Sequence, residues 1–116
     1  MAKATMKEAE KPLSEVYRLA ALEWGDMYSA WYTMSEGKTT MLAKLKQMLI
    51  DGDNRLAENK AERLAKNLPE WVGYLKTTSE LHHAALRLRA YKESVEMRYH
   101  EKQSQDASAR KERNLY

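Results

Sequence analysis

A chain of 116 residues with 32% charged side chains, 4 Gly, 2 Pro and no Cys suffices for one domain, and it excludes a disulfide scaffold or a thiolate metal site. No run of about 18 apolar residues occurs, so no membrane-spanning helix is expected, and the charged stretch Met1 to Pro12 lacks the apolar segment of a secretory signal. The net charge of +3 divides into −2 over residues 1–36 and +5 over residues 37–116, which permits a polyanionic partner without demanding one.

The composition reads as helix, being poor in breakers and rich in Ala, Glu, Lys, Leu and Arg. Residues 1–12 form a polar N-terminal arm, and Pro12 with Leu13 and Ser14 marks a helix start. From there Leu13, Tyr17, Ala20, Trp24, Met27, Trp31, Met34, Lys38, Met41, Leu45 and Met48 step by four and three. This is the spacing of a helix that lies along other helices. It predicts one helix from about Leu13 to Ile50, with Gly25 and Gly37 inside it and Gly37, followed by Thr39 and Thr40, as the point where it would break.

Asp51-Gly52-Asp53-Asn54 is the clearest turn signal. Gly52 is expected in a left-handed conformation past the helix end, and Asp53 or Asn54 as a cap for the next helix. Arg55 to Asn67 reads as a short amphipathic helix with Leu56, Ala57, Ala61, Leu64 and Ala65 on one side, a clasp lying on the larger helices. Pro69 ends it and opens a long helix to at least His100, in which Trp71, Tyr74, Thr78, Leu81, Ala85, Leu88, Lys92, Val95 and Tyr99 repeat the stepping. Leu75, Ala84 and Tyr91 widen that face. Residues 101–116 are a polar, charged tail or an extension of this helix. The expected fold is therefore all-α: an antiparallel long-helix hairpin over residues 13–100 with a short connecting helix, assembling as a helical bundle or coiled coil. The residues expected at its core or interface are Trp24, Met27, Trp31, Met34, Met41, Trp71, Tyr74, Leu81, Leu88 and Tyr91. A lone hairpin would leave Trp and Tyr wet, so a homodimer is the natural completion.

The candidate chemistries are weak against their structural explanations. Glu36-Gly37-Lys38-Thr39-Thr40 imitates the end of a phosphate-binding loop, but Tyr32 stands where the first Gly belongs and a helix precedes it. His82 and His83 are adjacent and project about 100° apart on a helix, while His100 lies roughly 25 Å along it. No three-ligand metal site forms from them. No nucleophile–base set can be assembled, so the chain reads as a non-enzyme with no metal, cofactor or small-molecule substrate. The Met and Trp stripe is first a core, although a Met-rich, aromatic seam also suits a partner groove. Lys44, Lys46, Arg55, Lys60, Arg63 and Lys66 gather around the hairpin tip, and Arg87, Arg89, Lys92 and Arg98 lie on the last helix, interleaved with Tyr91 and Tyr99. Arg beside exposed aromatics is one way to hold nucleic acid, though a solvated charged face looks the same.

Glu15-Val16-Tyr17, Trp24, Trp31, the charged turn, the short Ala-Glu-Arg helix and Pro69-Glu70-Trp71-Val72-Gly73-Tyr74-Leu75 before a long final helix resemble small helical accessory proteins of tailed bacteriophages. The likeness covers most of residues 13–113. Trp71 and Pro69 depart from the Tyr and Ser or Thr of that pattern. The resemblance implies an early-region protein of the recombination or host-takeover type, acting in the host cytoplasm, and carries over no catalytic residue. Three functions are expected in turn. The first is a binding protein acting on DNA or on a host complex that handles DNA. The second is an inhibitor of a host nucleic-acid-processing or defence enzyme, using the Met/Trp surface or the acidic N-terminal third. The third is a purely structural bundle.

Overall fold

The computed structural model describes residues 11–115, all of whose regular elements are helices. They are α1 (Leu13–Glu36), α2 (Lys38–Gly52), α3 (Glu58–Lys66) and α4 (Pro69–Leu115). The fold is all-α, and within each of its parts a stretch of α1 lies antiparallel to a stretch of α4, with the short α3 in the connection. Leu13 lies near Tyr99 and Glu23 near Tyr91 in one part, and Trp31 by His82 and Met34 by Tyr74 in the other. The chain divides into two compact units. One joins the described residues up to Asp26 with those from Leu86 onward, and the other is Met27–Ala85. The polar arm expected over 1–12 lies outside the described residues except for Lys11 and Pro12.

In the first unit, the Pro12 carbonyl accepts the N–H of Glu15 at 3.0 Å and of Val16 at 3.1 Å, so the helix begins where Pro can no longer obstruct it. Val16 and Ala20 are buried on α1, and Val95 is fully buried on α4. Trp24 lies half-buried under the Lys92 ammonium, which sits 5.1 Å from the ring centroid. Lys92 thus fills a core-type position by laying its stem on the aromatic face and keeping its head near water. Beyond His100 the helix continues to Leu115 with every side chain from Glu101 exposed. An i,i+4 contact between Lys102 and Asp106, 4.0 Å, lies along this polar extension.

The second unit holds the hairpin tip. Leu45 of α2, Ala65 of α3 and Trp71 of α4 make its buried cluster, with Met41, Leu42, Leu49 and Leu68 packed against it. Ala61 and Ala65 are both 0% exposed, and their small side chains let α3 seat closely as the expected clasp. Lys46 of α2 reinforces that seat through an ion pair with Glu58 at 3.2 Å. Thr78, the buried polar side chain of α4, is satisfied by donating to the Tyr74 carbonyl at 2.8 Å. Every residue of the Trp71-to-Tyr99 stripe is buried or half-buried.

Several expectations need correction. The first helix does not run unbroken to Ile50: it breaks at Gly37, where the Tyr74 hydroxyl donates to the Met34 carbonyl at 2.5 Å. That carbonyl is the one the Lys38 N–H would take in a continuous helix. A Cβ at position 37 would stand 2.7 Å from the same hydroxyl, so glycine is what admits it. Lys38 is exposed and Met48 is 54% exposed, so the seam of α2 runs through Leu42, Leu45 and Leu49 instead. Gly52 is the last residue of α2, and no described glycine has a positive φ. The chain leaves the helix through Asp53 in an extended conformation (φ −150°, ψ 97°). Asp53 closes α2 as its C-cap, its N–H donating to the Leu49 and Ile50 carbonyls at 3.1 Å each, but it does not cap the start of the next helix. Its carboxylate accepts the Arg55 N–H at 3.1 Å and its carbonyl the Leu56 N–H at 3.0 Å, a local turn that delays α3 to Glu58, with Ala57 as its N-cap. At the other end of α3, the Asn67 side-chain amide donates to the Arg63 carbonyl at 3.1 Å before Pro69 opens α4. Leu75 and Tyr91, expected to widen the buried face of α4, are each 38% exposed.

Candidate functional site

The surface most unlike a plain solvated helix is aromatic and lies in the second unit. Helical spacing brings Tyr28, Trp31 and Tyr32 to one side of α1. The Tyr28 and Tyr32 rings stack at 6.3 Å with 19° between their planes, and Tyr28 meets Trp31 edge-on at 5.5 Å. From α4, His82 stacks on Trp31 at 4.6 Å and 21°. These are ordinary offset and edge-to-face geometries, which hold rings in place without burying them. Tyr28 remains 43% exposed and Tyr32 51% exposed. The sequence stripe pointed at Trp31 but not at Tyr28, Tyr32 or His82. The signal was there in the i,i+3 and i,i+4 spacing of three aromatic residues, on the helix side next to the stripe rather than on it.

Of the residues expected at the core or interface, Trp71 is buried, while Trp24, Met27, Trp31, Met34, Met41, Tyr74, Leu81 and Leu88 are half-buried. Tyr91 is exposed and, with Lys11, Val16, Leu19, Ala20 and Glu23, lines a groove of about 320 Å³ in the first unit. Within the helices, this apolar surface is only partly withdrawn from water.

The expected nucleic-acid cations sit in different circumstances. In the second unit Lys46 is held by Glu58 and Lys66 lies 3.8 Å from Glu62. Lys44, Arg55, Lys60 and Arg63 are exposed, with no side-chain ion pair among the described residues. In the first unit Arg89 is paired with Glu93 at 3.0 Å, and Lys92 covers Trp24. Arg87 and Arg98 are exposed and unpaired among the described residues. Arg87, Tyr91 and Arg98 stand at i, i+4 and i+11 on α4, which places them along one side of that helix. Arg89 points elsewhere. At the start of α1, the Arg18 guanidinium hydrogen-bonds Glu15 at 2.6 and 3.0 Å and holds its carboxyl below the ordinary carboxylate range.

Among the described residues no group of three or more His, Cys, Asp or Glu could hold a metal ion, and no helix is long and apolar enough to cross a membrane. No buried side-chain polar atom among them lacks a hydrogen-bond partner. What the surface offers chemically is ring faces, phenol hydroxyls and solvated charge. No protein-family model, no curated protein and no solved structure matches the chain.

Proposed function

We propose that this protein is a non-catalytic accessory protein that works by binding another protein, and that the contact is the Tyr28–Trp31–Tyr32–His82 surface. The observation that carries the reading is the pair of ordered tyrosine rings, 43% and 51% exposed, braced by Trp31 and His82. Tyr and Trp presented on a rigid helix contribute large contact area at small entropic cost, which is why they dominate binding hot spots. The resemblance to bacteriophage accessory proteins directs the reading toward a host complex that handles DNA, engaged as a cofactor or as an inhibitor.

A second reading, direct contact with nucleic acid, is favoured by Arg87, Tyr91 and Arg98 along one side of α4. It ranks second because carboxylates engage Lys46, Lys66 and Arg89 and an aromatic ring engages Lys92, which leaves fewer cations for phosphates.

A photo-crosslinking residue in place of Tyr32 tests both. Adducts with a heterologous protein, lost on Tyr28→Ala, are the expected result. Adducts that a nuclease removes transfer the site to nucleic acid. Adducts with the chain itself alone reduce the protein to a self-assembling bundle.

A further inference from the structure

We infer that the α1–α2 junction is a two-state hinge, and that the Tyr74 phenol holds it broken against a local preference for one continuous helix. The backbone bonds across the junction among the described residues belong to Gly37 alone. Its N–H is shared between the Thr33 and Met34 carbonyls at 3.1 Å each, and its carbonyl accepts the Met41 N–H at 2.9 Å. The Lys38, Thr39 and Thr40 amides make no backbone bond back to α1. Helix ends usually answer such orphan amides with a side-chain cap or an acidic first turn. Here α2 has no side-chain cap and no acid in its first turn, and α1 has no basic residue in its last. Neither end is stabilised locally.

The backbone is already close to fusing. Gly37 sits at φ −81° and ψ −3°, in the right-handed region. A change of roughly 40° in ψ brings it to helical values. The apolar spacing continues in phase from Met34 to Met41 and Leu45. Straightening would add the three missing i→i−4 bonds from Lys38, Thr39 and Thr40 and remove two uncapped ends.

Two tertiary contacts oppose it. The Tyr74 hydroxyl occupies the Met34 carbonyl at 2.5 Å and fills the place of a Gly37 side chain. The cluster of Leu45, Ala65 and Trp71 holds α2 to α3 and the start of α4. The broken form buries Trp71 against Leu45 and Ala65, so straightening has to rearrange that cluster and with it the aromatic surface this unit presents. Bistable elements of this kind respond to whatever binds one form better.

The chain has no cysteine, so two can be placed cleanly in the full-length protein. Spin labels at Ala30→Cys and Gln47→Cys, both exposed positions, report the junction by pulsed dipolar spectroscopy. Seventeen residues of continuous helix separate their Cα atoms by about 26 Å. Tyr74→Phe is expected to raise the population at the continuous-helix distance about fivefold, the equivalent of one net hydrogen bond. Gly37→Ala displaces the same hydroxyl and raises it too, and the double variant gains less than the two together because both act on one contact. Thr39→Asp supplies the missing first-turn acid and lowers it. Unchanged distributions in Tyr74→Phe and Gly37→Ala, with far-UV helicity retained, overturn the hinge. If Tyr74→Phe loses structure, Gly37→Ala and Thr39→Asp decide it: the expected opposite shifts support the hinge, and any other pair of results rejects it.

Discussion

Trp71 carries more of the fold than any other aromatic residue, because it is the only Trp that is buried. It is 9% exposed, joins Leu45 and Ala65 in one cluster, and stacks at 6.2 Å on Tyr74, whose hydroxyl reaches the Met34 carbonyl. Truncating it removes the ring from the α2–α3 seat and the brace behind the Tyr74 hydrogen bond together. Trp71→Ala is expected to cost about 3–5 kcal/mol, the usual penalty for a large buried aromatic. Against a typical total of roughly 5–15 kcal/mol, such a loss leaves the tip barely folded. Met97→Ala is the matched control, since Met97 is 65% exposed. Its cost is expected within about 0.5 kcal/mol. Urea unfolding monitored at 222 nm separates the two, and equal midpoints would mean that the tip cluster does not govern stability.

At the scale of elements, α4 is two helices in physical terms although its backbone is one. From Trp71 to Tyr99 an inward stripe anchors it, and from Glu101 to Leu115 nothing is buried. Ending the chain after Glu101 is therefore expected to leave the midpoint of thermal unfolding within about 2 °C of the full chain, because no buried side chain is removed. A fall of ten degrees or more would reveal packing that solvent exposure along the extension does not suggest. The stripe of α4 was fully legible in the sequence, since a helix that packs on one side needs apolar residues at three- and four-residue spacing and little else. The break at Gly37 was legible only as a risk, because its cause is a hydroxyl forty residues away. The late start of α3 was hidden for a local reason: Asp53 spends its carboxylate on Arg55 rather than on a helix end. The candidate site was less legible still. Arg89–Glu93 could be read from i,i+4 spacing, but Lys92 over Trp24 and His82 on Trp31 depend on which residues two distant helices bring level.

For the molecule as a whole, the decisive quantity is how much large apolar surface stays wet after folding. Leu22, Tyr28, Tyr32, Leu75 and Leu86 are all 38% exposed or more, and the buried set consists mostly of Ala, Val and Leu with a single Trp. Scattered exposed apolar residues are normal, but stacked tyrosines braced by a tryptophan and a histidine form a surface that a partner would cover. Because the proposed occupant is a heterologous protein, a two-fold contact between copies is expected to use another face of the helices and to leave this surface open. Sedimentation over a wide concentration range is expected to show a monomer–dimer equilibrium. Replacing Tyr28 and Tyr32 together with Ser is expected to leave its dissociation constant within about twofold, the effect of exposed substitutions outside the contact. The same variant keeps its helicity, because neither ring belongs to the buried cluster. A chain that stays monomeric at every concentration would remove the second copy altogether. A dimer that dissociates in the double variant would place the second copy on the tyrosines and overturn the assignment of this surface to a heterologous protein.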